Sequence, residues 1–228
     1  KYWFEKGYPN KFEIITFEGS FHGRSSAGIA ATASKKMTKG FGPLLPGFVN
    51  INLNDHETIK TTISEKTAAI LIEPIQGEGG IRVLPEPFLK EIRAICDEKN
   101  ILLILDEVQC GVGRTGKLFA HEWVEIEPDI MMVAKGIGGG FPLGAVLAKE
   151  DAASGMTAGT HGSTYGGNPL GCSIGLKVMD IISDPDFLYD VNRKAKLFHD
   201  GLLELLKKNT SIFEEVRGKG LMLGLKCK

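Results

Sequence analysis

Three uninterrupted apolar runs constrain this 228-residue chain more than any other feature. They read TAAILI at 67–72, ILLIL at 101–105 and IMMV at 130–133. A strand with one face in water alternates apolar and polar residues, whereas a strand buried on both faces is apolar throughout. An amphipathic segment with Phe88, Leu89, Ile92 and Ile95 on one face lies between the first two runs. The sequence therefore predicts an α/β fold whose mostly parallel sheet is covered by helices on both faces.

Other segments continue the alternation of strands and helices. KFEIITFEG and GKGLMLGLK are predicted strands, and DHETIKTTIS is a predicted short helix with Asp55 as its candidate cap. Pro87 is expected to begin the amphipathic helix, and Asn168 to cap a helix that runs to Ile182. A longer helix is predicted from about Asp186 to Lys208. The inward side of the helix capped by Asn168 is predicted to carry Leu170, Ile174, Val178 and Ile181.

Composition narrows the kinds of partner. The formal net charge of −1 and the lack of a basic stripe argue against nucleic acid. No apolar run approaches the ~18 residues that a membrane span needs, and no signal peptide is visible. The four cysteines are scattered without a CxxC pair, so neither a metal site nor a disulfide framework is expected. Free cysteines of this kind favour a reduced, cytoplasmic setting.

Ionisable residues follow each apolar run at the point where its strand is predicted to end. Glu73 follows the first run, Asp106 and Glu107 the second, and Lys135 comes shortly after the third. Since ligands bind beyond the carboxyl ends of parallel strands, these side chains are expected to share one edge of the sheet. Glycine-rich stretches (QGEGG, QCGVGRTG and KGIGGG) adjoin them and let a ligand approach the backbone. The pattern predicts a site at this edge.

A lysine beside a carboxylate suits pyridoxal phosphate. A partly desolvated lysine loses its proton readily and forms a Schiff base with an aldehyde, while a carboxylate can hold a protonated ring nitrogen. Lys135 and Asp106 therefore indicate such a site. Two plainer interpretations stay open: Lys135 as a surface lysine, and Asp106–Glu107 as metal-binding or helix-capping acids. The phosphate-binding patterns GxxxxGK[ST] and GxGxxG are absent from the sequence, which argues against a nucleoside triphosphatase or a dinucleotide-binding enzyme.

Long, ordered stretches of the chain resemble one family. LILDEVQCGVGRTGKLFAHE, PDIMMVAKGIGGGFPLGA and THGSTYGGNPL are similar to the class III (ornithine-type) aminotransferases, of PLP-dependent transferase fold type I. The resemblance extends from EGSFHGR to VRGKGLMLGL, so it covers nearly the whole chain. FHGRSSAGIAATASKK, GFGPLLPGFVNI and EPIQGEGGI most resemble the members that act on acetylornithine. A large-domain sheet of seven strands is implied.

The resemblance also implies a role for particular residues. Lys135 would bind the aldehyde of pyridoxal phosphate, and Asp106 would bond its ring nitrogen. The other implied cofactor contacts are Phe21 and Val108 on the two ring faces, Gln109 near the phenolic oxygen, and Thr164 of the partner subunit at the phosphate. The implied substrate contacts are Arg24, which would clamp a carboxylate, Glu78, which would gate a substrate-binding arginine, and Ser163 beside Thr164. Glu73 would support the network around Gln109 or Glu78.

Plainer interpretations of these residues remain. They are core packing for Phe21, an ion pair for Arg24, turn formation for Ser163 and Thr164, and bonds to loop backbone for Glu73 and Glu78. Arg114 is expected to be structural, and His22 and His161 to support backbone rather than to move protons. His56, His121 and His199 are expected at the solvent or on helix surfaces.

The activity implied by the resemblance is amino transfer from N-acetylornithine to 2-oxoglutarate, which gives N-acetylglutamate semialdehyde and glutamate in arginine biosynthesis. Ornithine, 4-aminobutyrate and succinylornithine are alternative donors, and glutamate-semialdehyde aminomutase shares the fold. A truncated pyridoxal-phosphate-binding protein without turnover is the non-enzymatic alternative. A cytoplasmic homodimer with shared active sites is implied, with no nucleic-acid or membrane partner.

The ends of the chain predict a piece of a longer protein. It begins KYWFEKGYPN and stops in GLMLGLKCK, whereas the family that it resembles is longer at both ends. Residues 1–185 are predicted to be a large pyridoxal-phosphate-binding domain whose N-terminal part is missing. Residues 186–228 are predicted to begin a smaller, incomplete C-terminal domain. The segments outside this sequence are implied to hold half of the phosphate-binding groups and a second carboxylate-binding arginine.

Overall fold

The computed structural model describes residues 1–32, 34–53 and 56–228. The strands are β1 Glu13–Phe17, β2 Phe48–Ile51, β3 Thr67–Ile72, β4 Ile75–Gln76, β5 Arg82–Val83, β6 Leu102–Asp106, β7 Ile130–Val133, β8 Ala145–Ala148, β9 Phe213–Lys219 and β10 Met222–Cys227. The helices are α1 Tyr2–Glu5, α2 Ser26–Ala31, α3 Lys35–Thr38, α4 His56–Thr62, α5 Glu86–Glu98, α6 Glu150–Ala153, α7 Pro169–Ile182 and α8 Pro185–Lys208. Short 3₁₀ turns span Ala120–Trp123 and Lys135–Gly138. Asp55, the candidate cap of α4, lies outside the described residues.

One sheet of six strands runs through the fold in the order β2-β1-β3-β6-β7-β8. Its strands are parallel except β8, which pairs with β7 in the antiparallel direction. The prediction of an α/β fold with a mostly parallel sheet is confirmed. The described residues contribute six strands where the family resemblance implied seven. The sheet ends at β8, whose residues are all exposed, so this edge strand is open.

The two strands at the centre of the sheet are β3 and β6, and this explains their apolar sequences. Ile70, Leu103 and Leu105 are fully buried. On one face they belong to a core cluster that includes the inward side of α5, where Phe88, Leu89, Ile92, Ile95 and Cys96 are buried. Burying one such side chain stabilises the fold by about 1.5–3 kcal/mol. The apolar side chains that recur at helical spacing therefore hold α5 against the sheet.

Helix α7 packs in a way that the hydrophobic pattern did not predict. Its cap is as expected, because the Asn168 side chain accepts a hydrogen bond from the Gly171 N–H at 2.7 Å. Leu170 and Ile181, however, are 62% and 48% exposed, so that part of the predicted inward side is wrong. The buried residues of the helix are Gly171 and Gly175. A Cβ atom at Gly175 would lie 2.8 Å from Leu143, so the lack of a side chain lets α7 approach the turn that carries Lys135.

Helix α8 and the β9–β10 hairpin lie beside the glycine-rich loop that follows β6. Asp184 caps α8 through the Asp186 N–H at 2.8 Å, and Asn192 donates from Nδ2 to the Gly116 carbonyl at 2.8 Å. Leu221 N–H, between the hairpin strands, donates to the Arg114 carbonyl at 2.9 Å. Helix α8 begins at Pro185, one residue before the predicted second domain, and the domain boundary at 185/186 stays a prediction. None of the helices in the described ranges is long and apolar enough to cross a membrane.

Candidate active site

The carboxyl ends of β3, β6 and β7 meet at one edge of the sheet. These strands are parallel neighbours, and the chain continues from them into Glu73, Asp106–Glu107 and Lys135. Glu73 lies close enough to both other groups for their charges to act on its pKa, which Asp106 raises and Lys135 lowers. The structure thus brings together the three ionisable residues that the sequence singled out.

Glu73 is a buried carboxyl group with little polar contact. It is 2% exposed, and its oxygens accept hydrogen bonds from the backbone N–H groups of Phe21 at 3.0 Å and Gly77 at 3.4 Å. Burial, with a smaller contribution from the negative charge of Asp106, raises the pKa of Glu73 to about 8, even though the two N–H groups and Lys135 act in the opposite direction. The carboxyl group therefore holds a proton at neutral pH.

Asp106 is held in a fixed orientation from two sides. Its Oδ2 atom lies 2.8 Å from His22 Nδ1, and its Oδ1 atom accepts a hydrogen bond from the Val108 N–H at 3.0 Å. A carboxylate only accepts, so His22 carries a hydrogen on Nδ1 when Asp106 is ionised. We expected His22 to support backbone, and that expectation was incomplete because the side chain binds Asp106 directly. The Phe-His-Gly-Arg stretch at 21–24 was the signal that could have indicated this partner.

Gln109 packs against the loop that follows β3. Its Nε2 atom is buried and has no hydrogen-bond partner among the described residues, as is also the case for His22 Nε2. A Cβ atom at Gly77 would overlap the side-chain amide of Gln109, so glycine is needed there for this packing. An amide Nε2 only donates, so the unpartnered nitrogen of Gln109 indicates that an acceptor belongs beside it. His22 Nε2 is the accepting nitrogen of a neutral ring whose hydrogen is on Nδ1.

Lys135 has an unusual backbone conformation at the end of β7. Its φ of +48° is uncommon for a residue other than glycine, and such a conformation costs on the order of 1–3 kcal/mol. The lysine is exposed, so the expectation of a partly desolvated side chain is not met in this chain. The reason is its surroundings: it lines an open cavity of about 470 Å³ where Gly113, Gly136, Gly139 and Gly140 bring no side chains to cover it.

Phe21 and Arg24 lie next to each other beside the cluster. Phe21 is half-buried and lies in the segment between β1 and α2, and its N–H donates a hydrogen bond to Glu73. The guanidinium carbon of Arg24 lies 5.3 Å from the centre of the Phe21 ring, and Arg24 is exposed. A cation over an aromatic face is stabilised by about 0.5–1 kcal/mol at an exposed position. Arg24 therefore has a preferred location near the site, and no ion pair ties it to a carboxylate among residues 1–32, 34–53 and 56–228.

The structure does not join the remaining predicted residues to this cluster. Glu78 is exposed in the turn between β4 and β5, one residue after Gly77. Ser163 and Thr164 are exposed in the segment before α7. Within the described part of the chain, no side-chain hydrogen bond or ion pair links these three residues to Asp106 or Lys135, and their roles stay predictions.

Glu107 and His121 form a contact that the sequence reasoning missed. His121 was expected at the surface, but its side chain is 15% exposed and its Nδ1 atom lies 2.8 Å from Oε1 of Glu107. Glu107 itself is completely buried. The available signal was the second acid directly after Asp106.

A lysine and a buried carboxylate at one edge of a mostly parallel sheet are features of a class of enzymes, and comparison with known families identifies the class. The chain belongs to the class III aminotransferases: the family model "Aminotransferase class-III" matches residues 1–228. Its curated relatives include the acetylornithine aminotransferase of Rhodobacter capsulatus, 65% identical over 228 residues, and that of Mesorhizobium japonicum, 55% identical over 227. All of this chain is covered in both alignments, against 58% and 57% of the relatives. The chain thus spans somewhat more than half the length of these relatives.

Solved structures agree with the family. The ornithine aminotransferase of Toxoplasma gondii overlays with a TM-score of 0.94 at 32% identity, covering 100% of this chain and 55% of that one. The N-acetylornithine aminotransferase of Stenotrophomonas maltophilia overlays with a TM-score of 0.80 at 36% identity, covering 100% and 54%. A further structure of the Toxoplasma enzyme is described with PLP at partial occupancy in its active site. The family uses pyridoxal phosphate as its cofactor.

The residues at the sheet edge fit this cofactor. The unpartnered Nε2 atom of Gln109 matches a phenolic oxygen, which accepts hydrogen bonds. Asp106 is buried, and its carboxylate, with one partner on each oxygen, retains lone pairs for a ring N–H. Lys135 supplies the exposed amine that covalent attachment needs. The donor set at this edge is therefore compatible with pyridoxal phosphate.

Proposed function

We propose that the protein carrying this chain transfers the terminal amino group of N-acetylornithine to 2-oxoglutarate and forms N-acetylglutamate semialdehyde and glutamate. The observation that carries the proposal is the meeting of Lys135 with the His22-supported Asp106 at one sheet edge, in a chain of this family. The choice of donor is supported by 65% identity to a relative named acetylornithine aminotransferase. We place the reaction in arginine biosynthesis and the enzyme in the cytoplasm.

Lys135 and Asp106 have the central roles in the proposed mechanism. Pyridoxal phosphate supplies an aldehyde that binds amines and a protonated ring that withdraws electrons. The Lys135 amine would hold the cofactor through that aldehyde, and as a free amine it would accept the proton that leaves the donor carbon. The Asp106 carboxylate would keep the ring nitrogen protonated, and His22 would keep Asp106 oriented.

The remaining residues would bind and orient. Val108 and Phe21 would pack on the two ring faces, and Gln109 would donate from Nε2 to the phenolic oxygen. Arg24 would bind a substrate carboxylate, because its planar fork of donors matches two oxygens, and it would move from the Phe21 ring to do so. Glu78 would shield or pair with a substrate-binding arginine, and Ser163 would lie near the substrate. Neutral Glu73 would add no negative charge beside Asp106.

A donor panel on the cofactor-loaded protein tests the proposed reaction. Each of N-acetylornithine, ornithine, succinylornithine and 4-aminobutyrate is mixed alone with the enzyme, and the visible absorption of the bound cofactor is followed in time. Fast conversion to the amine form with N-acetylornithine and slow conversion with the others is expected. If ornithine or 4-aminobutyrate reacts fastest, the chemistry stands and the donor is wrong. If no donor changes the absorption, amino transfer itself is refuted.

We also propose a homodimer in which Thr164 of one subunit reaches the cofactor phosphate of the other. The exposure of Thr164 in this chain supports the idea. Lys135→Ala and Thr164→Val subunits can be mixed, because a shared site would be rebuilt from the intact Lys135 of one subunit and the intact Thr164 of the other. Mixed dimers should recover activity that neither variant has alone. Activity of the mixture equal to the average of the two pure variants would show that sites are not shared.

A further inference from the structure

Glu107 is a completely buried acid for which the proposed reaction has no use. It directly follows Asp106, and its backbone N–H continues the sheet by donating to the Met132 carbonyl at 2.9 Å. Successive side chains of a strand point to opposite faces. Asp106 therefore turns toward His22 and the site, while Glu107 turns toward the Ala120–Trp123 turn on the other face.

The Glu107 carboxylate is held by three hydrogen bonds from that turn. Oε2 accepts from the Ala120 N–H at 2.6 Å, and Oε1 accepts from the His121 N–H and lies near His121 Nδ1, both at 2.8 Å. Hydrogen bonds to an ionised acceptor are about twice as strong as those between neutral groups. The His121 ring is fixed in turn by stacking on Phe119, with centroids 5.9 Å apart and planes at 12°.

These contacts join the two ends of the loop that spans residues 108–119, between Glu107 and the Ala120–Trp123 turn. Val108 and Gln109 are the first residues of this loop, and both follow directly from Glu107 in sequence. The loop folds back on the acid, because the Gly111 N–H donates to the Glu107 carbonyl at 2.9 Å. A Cβ atom at Gly111 would lie 2.9 Å from Oε2 of Glu107, so only glycine leaves room for the carboxylate. The far end of the loop is thus bound to the side chain of Glu107, and its first turn is bound to the Glu107 backbone.

We propose that Glu107 is a positioning residue for cofactor binding. It locks the Ala120–His121 turn and so holds Val108 and Gln109 in place at the site on the opposite face of the sheet. This inference rests on the proposed function, because Val108 and Gln109 matter to activity only where the cofactor binds beside them. Loss of the lock would leave Asp106 and Lys135 in place and loosen the two residues that contact the ring.

Four variants of the protein carrying this chain separate positioning from general stability. Glu107→Gln keeps the shape of the side chain, but its amide NH₂ group cannot accept a hydrogen bond, so at least one of the three donors loses its acceptor. His121→Phe keeps a ring to stack on Phe119 but has no donor, whereas His121→Asn restores a donor near Nδ1. Asp129→Asn is the matched control, since Asp129 also accepts from a backbone N–H (Leu103, 2.8 Å) and a cation (Arg93, 2.9 Å), but at the opposite end of the sheet.

Three quantities are measured for each folded variant: the melting temperature without cofactor, the dissociation constant of pyridoxal phosphate, and the induced circular dichroism of the bound cofactor. All variants should melt at lower temperature. Glu107→Gln and His121→Phe should raise the dissociation constant roughly tenfold and alter the dichroism, as expected for a lost hydrogen bond to a charged group. His121→Asn should recover much of both, and Asp129→Asn should change neither.

The outcomes distinguish this inference from the proposed function. If the Glu107 and His121 variants lose melting temperature like Asp129→Asn but bind cofactor with unchanged affinity and dichroism, Glu107 is only structural and the inference is refuted. If the unsubstituted protein binds no pyridoxal phosphate, the proposed function fails and the inference fails with it. Should Glu107→Gln not fold, the two His121 variants give the same decision.

Discussion

His22 Nδ1 lies 2.8 Å from Oδ2 of Asp106, and both side chains are almost completely buried, at 2% and 5% exposure. A hydrogen bond to a charged group in such a place is worth about 1.5–3 kcal/mol. The contact connects the segment after β1 with the end of β6, so the orientation of Asp106 depends on two separate parts of the chain.

Replacement of His22 should therefore weaken the enzyme through Asp106. We expect His22→Phe to lower kcat by roughly 10–100-fold, because the carboxylate loses its charge-assisted partner. His22→Asn, which can place an N–H near the position of Nδ1, should recover part of the loss. Steady-state kinetics with the cofactor at saturation give the comparison. Equal kcat for His22→Phe and the unsubstituted enzyme would show that Val108 alone orients Asp106.

Lys135→Ala should abolish turnover and the visible absorption of covalently bound cofactor. A positioned proton-transfer group contributes roughly 10²–10⁴-fold to rate, and the amine needed for attachment is lost as well. Absorption spectra and single-turnover rates are the measurements. Lys99→Ala is a suitable control, because Lys99 is an exposed lysine paired with Glu98 at the far end of α5. An active Lys135→Ala enzyme would mean that another amine carries the chemistry.

Gly77→Ala should reduce cofactor affinity without a large loss of stability. The new methyl group would overlap the Gln109 amide, and this side chain would have to leave its present position. We expect a dissociation constant for pyridoxal phosphate raised about tenfold, the size of one lost hydrogen bond. Fluorescence titration measures it, with Gly201→Ala as the control because a Cβ atom there meets nothing within 4 Å. Unchanged affinity would indicate that Gln109 does not contact the cofactor.

Glu73 should make the stability of the cofactor-free protein depend on pH. Its folded pKa is about 8 against 4.5 in the absence of burial, so the folded state binds more protons between these values. The free energy of unfolding therefore falls as pH rises through this window, by a few kcal/mol at most. Glu73→Gln, which stays neutral, should lack this component and gain stability relative to the parent at pH 8.

Urea unfolding at roughly pH 5, 6.5 and 8 measures the difference in the free energy of unfolding between Glu73→Gln and the parent. Glu86→Gln serves as the control, since Glu86 is an exposed glutamate whose pKa is lowered by its ion pair with Lys90. If the stability curves of Glu73→Gln and the parent run parallel across the window, the carboxyl group of Glu73 does not hold its proton.

The sequence predicted the frame of the site because that frame depends on local pattern. Uninterrupted apolar runs identify β3, β6 and β7, of which β3 is buried at every residue, whereas the first and third residues of the other two are only half-buried. Parallel neighbours bring their carboxyl ends to the same edge. Glu73, Asp106 and Lys135 follow from this alone. The class of cofactor then followed from the chemistry of a lysine beside a carboxylate.

Contacts between distant segments were beyond that reasoning. His22 and Asp106 are 84 positions apart, and nothing in the spacing of either stretch shows that the two side chains touch. The predicted packing of α7 was wrong for a related reason. Apolar spacing predicted that Leu170 points inward, but it is exposed, and the close contact of the helix with Leu143 is made at Gly175. Exposure of Lys135 likewise depends on what surrounds it in space.

The opposed directions of Asp106 and Glu107 limit how β6 can vary. Because side chains alternate along a strand, removal or insertion of a single residue in Leu102–Asp106 would exchange the faces of the two acids. The longer glutamate would then enter the proposed cofactor site, and the aspartate would be too short to reach the Ala120–His121 turn. A change in chain length within this strand is therefore not tolerable, and the order of the two acids matters as much as their presence.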